Sequence, residues 1–138
     1  MINEGVIIAS GNLDAFSLRM GDCYNDTQEV QEATDSIEVE SVPVVPCSEP
    51  HDNEIFQLID LSIPNYPGDN EMNELAREEC LPYFEGFVGL SYLESSLDIT
   101  YLSPSLESWN TLNDREVVCV VYDMNLEKLQ GSVRGRGI

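Results

Sequence analysis

The sequence predicts an α+β fold: an antiparallel-rich sheet with one principal helix packed on a face, held by two disulfides. Three observations predict it. Short apolar segments, residues 116–122 (EVVCVVY) above all, have the length and β-branched content of strands. One stretch near residues 69–80 carries apolar side chains at helical spacing. Four well-separated cysteines, Cys23, Cys47, Cys80 and Cys119, include no C-x-x-C pair. The 138 residues suit one domain able to bury a real core. Residues 1–15 read as an N-terminal leader or edge strand, and residues 16–138 as the domain.

Residues 6–9 (VIIA) are the short apolar run of that leader. Residues 16–20 (FSLRM) alternate apolar and polar, as a half-buried strand does, and Gly21-Asp22 breaks the run before Cys23. Residues 25–40 are polar and acidic and read as a solvated loop or hairpin tip. Residues 37–46 then read as an extended segment ending at Cys47, whose prolines suit a sheet edge. Residues 54–61 (EIFQLIDL) put Ile55, Ile59 and Leu61 on one face and Phe56 and Leu58 on the other, which predicts an inner strand.

The turn at residues 64–69 precedes the helix, which Asp69 or Asn70 would cap while Glu71 and Glu74 favour its N-terminal dipole. Met72, Ala76 and Cys80 share one stripe, so Cys80 faces the core. Pro82 ends regular helix there. Residues 98–102 (DITYL) form a short strand, and residues 108–115 a loop or helical turn. In residues 116–122, Val117, Cys119 and Val121 face one way and Val118, Val120 and Tyr122 the other. Residues 130–134 are read as an antiparallel return.

Four cysteines allow three pairings. In this layout Cys23 and Cys47 end two strands joined by the acidic excursion, so they meet at a hairpin base. Cys80 on the helix and Cys119 in the central strand meet between layers. Closing loops of these lengths contributes roughly 3.5 and 4 kcal/mol in the chain-entropy model. That rivals the net stability of a small domain. Two disulfides imply an oxidising compartment; four buried thiols in a cytosolic protein are the competing reading.

Charge narrows the function. With 26 acids against 6 bases the net charge is −20, which repels phosphate backbones and anionic lipid and excludes a nucleic-acid binder. No apolar run reaches the roughly 20 residues of a membrane span. His51 is the single histidine, Gly-x-Ser-x-Gly is absent, and Cys47 is committed to a disulfide, so nucleophilic catalysis gains no support. His51 and Glu54 alone make no zinc site. The acids and amides around residues 22–26 and 69–74 do not match a calcium loop. Neither metal nor cofactor is expected. Trp109, Tyr66, Tyr92 and Tyr101 offer an aromatic platform for sugar or peptide, against the plainer reading that they pack on the core edge.

The segments Leu18-Arg19-Met20-Gly21-Asp22-Cys23-Tyr24 and Val42-Pro43-Val44-Val45-Pro46-Cys47-Ser48-Glu49-Pro50-His51-Asp52-Asn53-Glu54-Ile55-Phe56 resemble the septum formation domain family, with its ordered pattern GDC…VPC…PH..E. Later pieces agree in order: Tyr66-Pro67-Gly68, Cys80 then Phe84, Pro104 then Trp109, Asn113-Asp114-Arg115 before Cys119, and Gly131-Ser132-Val133-Arg134-Gly135. The family comprises exported or membrane-anchored bacterial proteins, chiefly actinobacterial. The resemblance implies an extracytoplasmic domain associated with cell division or the envelope, and it supports the same cysteine pairing. It brings no catalytic residue. The family's usual N-terminal anchor is missing from these residues, so the expectation is the soluble part of a longer exported or anchored protein.

The expected function is therefore a non-enzymatic envelope domain that binds a division or envelope protein, or a wall polymer, without inserting in a membrane. The candidate contacts are His51, Trp109, Asp114 and Arg115, with Asp114 and Arg115 also suited to fixing the turn before the central strand. The alternative is an acidic hydrolase acting on cell-wall glycan through two carboxylates that the sequence does not single out.

Overall fold

The computed structural model describes residues 2–3, 6–7, 11–14, 18–26 and 41–138. In chain order its strands are β1 (Ile2–Asn3), β2 (Val6–Ile7), β3 (Gly11–Asp14), β4 (Cys23–Tyr24), β5 (Ser41–Val45), β6 (Asn53–Asp60), β7 (Leu97–Leu102) and β8 (Glu116–Asp123). Its helices are α1 (Asp69–Cys80), a 3-10 turn (Leu81–Tyr83), α2 (Phe84–Val88) and α3 (Leu106–Thr111). β1 and β2 pair with each other, and the other strands form one antiparallel sheet in the order β3-β5-β4-β6-β8-β7.

β8 is apolar on both sides because both sides are buried. Val117, Cys119 and Val121 face a core built with α1 and α2, while Val118 and Val120 face a second cluster with Leu18, Tyr24, Val42, Val44 and Leu102. That second cluster joins residues of β4 and β5 to residues of β7 and β8, so the sheet curls over its own face.

α1 starts after Gly68, whose φ of 100° places it in the left-handed region. Asp69 and Glu71 lie in its first turn, where the helix dipole favours acids. Met72, Ala76 and Cys80 are its buried stripe. Truncating a buried side chain such as Met72 to Ala costs about 2–5 kcal/mol. Cys80 reaches across to Cys119 with a Cα–Cα distance of 5.5 Å, tying helix to sheet. Pro82 converts the chain to the 3-10 turn, and α2 then adds Phe84, Phe87 and Val88 to the core. Phe84 and Phe87 both pack on Phe56, with ring centroids 6.1 Å away in each case.

The N-cap of α1 is Gly68, with no side-chain cap bond, and not Asp69 or Asn70 as the sequence predicts. Four further details differ from the sequence reading. First, β5 is an inner strand between β3 and β4, although it contains Pro43. β4 pairs only with Val44 and Val45, so no β4 ladder bond needs a donor at Pro43, and the Pro43 carbonyl still accepts from the Asn25 amide at 2.9 Å. Second, the register of β6 against β8 shifts between Ile55 and Gln57. This bulge reverses the side-chain parity, so Phe56, Ile59 and Leu61 join the helix-side core while Ile55 and Leu58 join the other cluster.

Third, Leu18, Arg19 and Met20 are not in a strand; they run into a turn closed by the Asp22 amide donating to the Arg19 carbonyl at 3.0 Å. Phe16 and Ser17 of that reading, and residues 27–40 of the acidic excursion, lie outside the described residues. Fourth, residues 130–134 do not return as a strand. Only Leu129 makes a bridge, with His51, and the chain beyond it is held by the Glu54 carboxylate and by single backbone bonds to Cys47, Phe87 and Val88.

Candidate functional site

The signature segments converge on one end of the sheet. Cys23 and Cys47 are joined with a Cα–Cα distance of 5.3 Å. The Gly21 amide donates to the Ile55 carbonyl at 2.7 Å, and the Ile55 amide to the Asp22 carbonyl at 2.8 Å. Glu54, only 1% exposed, accepts from the Val133 amide at 2.8 Å and from the Ser132 hydroxyl at 2.6 Å. The Gly131 amide donates to the Cys47 carbonyl at 2.7 Å. The C-terminal segment thus runs from the disulfide over Glu54. It continues to α2, where Gly135 and Gly137 amides donate to the Phe87 and Val88 carbonyls, both at 2.7 Å. Gly89, which ends α2, has a φ of 89°, the left-handed region that favours glycine.

His51 lies at this end, fully buried. Its Nδ1 is 2.8 Å from the Glu49 carbonyl, so Nδ1 carries the proton it donates. Its Nε2 has no hydrogen-bond partner among the described residues. Cys23, Cys47 and Glu54 bring ligand-type atoms within 4.8 Å of one another, but both sulfurs are spent in the disulfide and Glu54 is spent on the C-terminal segment. This arrangement holds chain segments together and has no ligand set for a metal.

Trp109, Asp114 and Arg115 meet at the opposite end of the β6–β8 pair, where Asp60 faces Glu116. Ser105 and Ser108 form a reciprocal capping box that starts α3 and positions Trp109. Asp114 accepts from the Ser108 hydroxyl and from the Glu116 amide, both at 3.1 Å. Arg115 lies over the Trp109 ring, its guanidinium carbon 3.5 Å from the centroid, and donates to the Trp109 carbonyl at 3.1 Å. Tyr66 meets the other part of Trp109 edge-on at 5.9 Å. The Tyr66 hydroxyl donates to Asp69, and burial, that hydrogen bond and the Asp69 charge push its pKa up to about 12. Trp109 is 4% exposed.

The four nominated residues therefore form no single site. His51 stands alone, Trp109 is covered, and Asp114 and Arg115 fix the turn into β8. The four aromatics divide likewise: Tyr66 joins Trp109, Tyr92 packs edge-on against Phe84 at 5.4 Å, and Tyr101 lies partly buried against the helix-side core.

Tyr92 instead belongs to a groove of about 420 Å³ between the end of α1 and residues 91–93. Arg77, Leu81, Pro82, Phe84, Glu85 and Leu93 complete its main walls. The Arg77 guanidinium sits 5.4 Å over the Tyr92 ring and donates to the Tyr92 hydroxyl at 3.4 Å. That hydroxyl donates to Asp98 at 2.5 Å, which fixes the ring as a wall. Leu93 is 93% exposed. The sequence reading missed the groove. Its walls come from the end of α1 and the loop just after α2, which meet through tertiary packing rather than a shared periodicity, and only the Leu81-Pro82 break marked the place.

Among the described residues, two carboxyls have their pKa raised. Burial raises Asp22 against the opposing Arg19 amide and charge, and burial together with Asp60 and Asp114 raises Glu116. Both shifts have the same sign. Glu116 faces Asp60 at one end of β6 and the Asp22 carbonyl bonds Ile55 near the other, about 17 Å of strand away. Neither lines the groove, whose one acid is Glu85. No feature here favours paired-carboxylate hydrolysis.

The chain is a disulfide-tied α+β domain with a curled antiparallel sheet, a helix-packed face and a groove beside Tyr92. The chain belongs to the septum formation family, whose model matches residues 8–119. That match spans both disulfides and the groove and ends before the segment held by Glu54. The membership suggests a role connected with the septum and cell division, in a family not known as enzymes. Neither a curated protein nor a solved structure gives a match to this chain. The two disulfides fit an extracytoplasmic setting, and no helix among the described residues is long and apolar enough to cross a membrane.

Proposed function

We propose that this chain is a non-enzymatic, extracytoplasmic domain that binds a protein partner at the site of division. The observation that carries the reading is the groove: its walls are mostly aromatic and apolar, with Arg77 held against Tyr92, and its single carboxylate is Glu85. A glycan-cleaving cleft needs two acids held in different environments a few ångströms apart, whereas a protein-docking surface needs exposed apolar anchors with a polar rim. The disulfides support the compartment. Charge supports a protein over an anionic wall polymer, since −20 repels polyanions and steers cationic partners inward.

The test is placement in cells. The chain, exported and carrying a small fluorescent label, is expected to concentrate at the septum and to be reached by a membrane-impermeant labelling reagent. Uniform distribution along the envelope, or protection from the reagent, contradicts the reading.

A further inference from the structure

We propose that the groove beside Tyr92 docks a short segment of a protein partner that presents apolar side chains flanked by lysine or arginine; this rests on the binding-domain reading above. Three features fix that chemistry. Leu93 is 93% exposed and Tyr83, in the adjoining 3-10 turn, 45% exposed, so apolar surface stands uncovered beside the groove. Leu81 and Pro82 form an apolar floor that offers no competing charge.

The third feature is the charge of the neighbouring stretch of chain. Glu78 and Glu79 are exposed at the end of α1, Glu85 lines the groove and Glu94 follows Leu93, also exposed. The neighbouring base, Arg77, is already engaged with Tyr92, both through the ring and through its hydroxyl. Among the described residues the one ion pair is Lys128 with Asp52, so these glutamates have no cationic partner. An apolar slot lined by the carboxylate of Glu85, in a chain of net charge −20, fits a cationic segment with apolar anchors. It disfavours an anionic glycan and a second copy of this chain, which carries the same −20 charge. A groove of about 420 Å³ suits a few side chains of a segment rather than a broad globular face.

The experiment uses the oxidised chain, isotope-labelled, titrated with three synthetic peptides of equal length. One alternates leucine and phenylalanine with lysine, one replaces its lysines by glutamate, and one replaces its apolar residues by serine. Amide shifts are expected from the first peptide alone, centred on Leu81, Glu85, Tyr92 and Leu93. Leu93→Asp, on an exposed side chain, is expected to weaken that binding roughly tenfold, and Glu85→Lys to remove most of its salt dependence.

Equal binding of the serine peptide, shifts scattered over the acidic surface, or no effect of Leu93→Asp overturns the proposal. So does a soluble wall-glycan fragment that moves the same amides in the peptide's place. Septal enrichment of the labelled chain is read separately. Enrichment without groove shifts sinks the docking proposal alone, and loss of enrichment sinks the binding-domain reading beneath it.

Discussion

The carboxylate of Glu54 accepts the Val133 amide at 2.8 Å across 79 residues of chain, deep enough that Glu54 is 1% exposed. A buried carboxylate is tolerated only when its oxygens are satisfied, and Ser132 supplies the second donor at 2.6 Å. Glu54→Ala is expected to cost roughly 1.5–3 kcal/mol, because it removes charge-assisted bonds and orphans a buried N–H. Hydrogen exchange localises the effect. Protection of the Val133 amide should fall by more than that of the β8 amides, and equal loss at both would mean general destabilisation rather than release of the C-terminal segment.

Arg115 and Trp109 form the most compact cation–aromatic contact among the described residues, at 3.5 Å. Arg115→Lys keeps the charge and loses the planar stacking and its fixed donors. The expected loss is about 0.5–2 kcal/mol, accompanied by a change in the emission of the single tryptophan. Unchanged emission would show that the guanidinium does not rest on the ring in solution.

Glu116 gives a pH dependence with a definite sign. Burial first, then Asp60 directly across the strand pair and Asp114 beside it, raise its pKa above the ordinary carboxylate value. The folded state therefore holds this proton more tightly than the unfolded chain does. Stability from Glu116 falls as pH rises from the unfolded to the folded pKa, and stays lower above that window. Glu116→Gln is expected to stabilise the protein at neutral pH, by about 0.5 kcal/mol or less because the group is partly solvated. The gain should shrink as pH drops through the window. A variant that is less stable than the parent at neutral pH contradicts this account.

The two disulfides differ in what they hold. Cys80–Cys119 joins helix to sheet within the core, and Cys23–Cys47 ties β4 to the end of β5. Replacing Cys80 and Cys119 together by Ala is expected to cost about 4 kcal/mol, and replacing Cys23 and Cys47 about 3.5 kcal/mol, by the loop-entropy relation. Urea titration measures both. A loss under 1 kcal/mol in either pair would show that its loop is already constrained in the unfolded chain.

Local pattern revealed the elements that local pattern governs. The stripe Met72, Ala76, Cys80 and the double-sided apolar run of β8 both state their partners, and together they imply the Cys80–Cys119 contact. The faces of β6 were not legible, because a bulge at Phe56 depends on the register against β8 and leaves no mark of its own. Pro43 misled for a similar reason: its tolerance inside the sheet comes from β4 being two residues long. Glu54 stood in the signature, yet its partners, Ser132 and Val133, could be assigned only once the chain had closed on itself.

Placement outside the cytoplasm rests on the sulfurs, and their state in the native protein is the most direct measurement. Protein taken from cells, alkylated at once and digested without reductant, is expected to yield peptides linking Cys23 to Cys47 and Cys80 to Cys119, with no alkylated cysteine. Four alkylated cysteines, or any other linkage, would contradict the account.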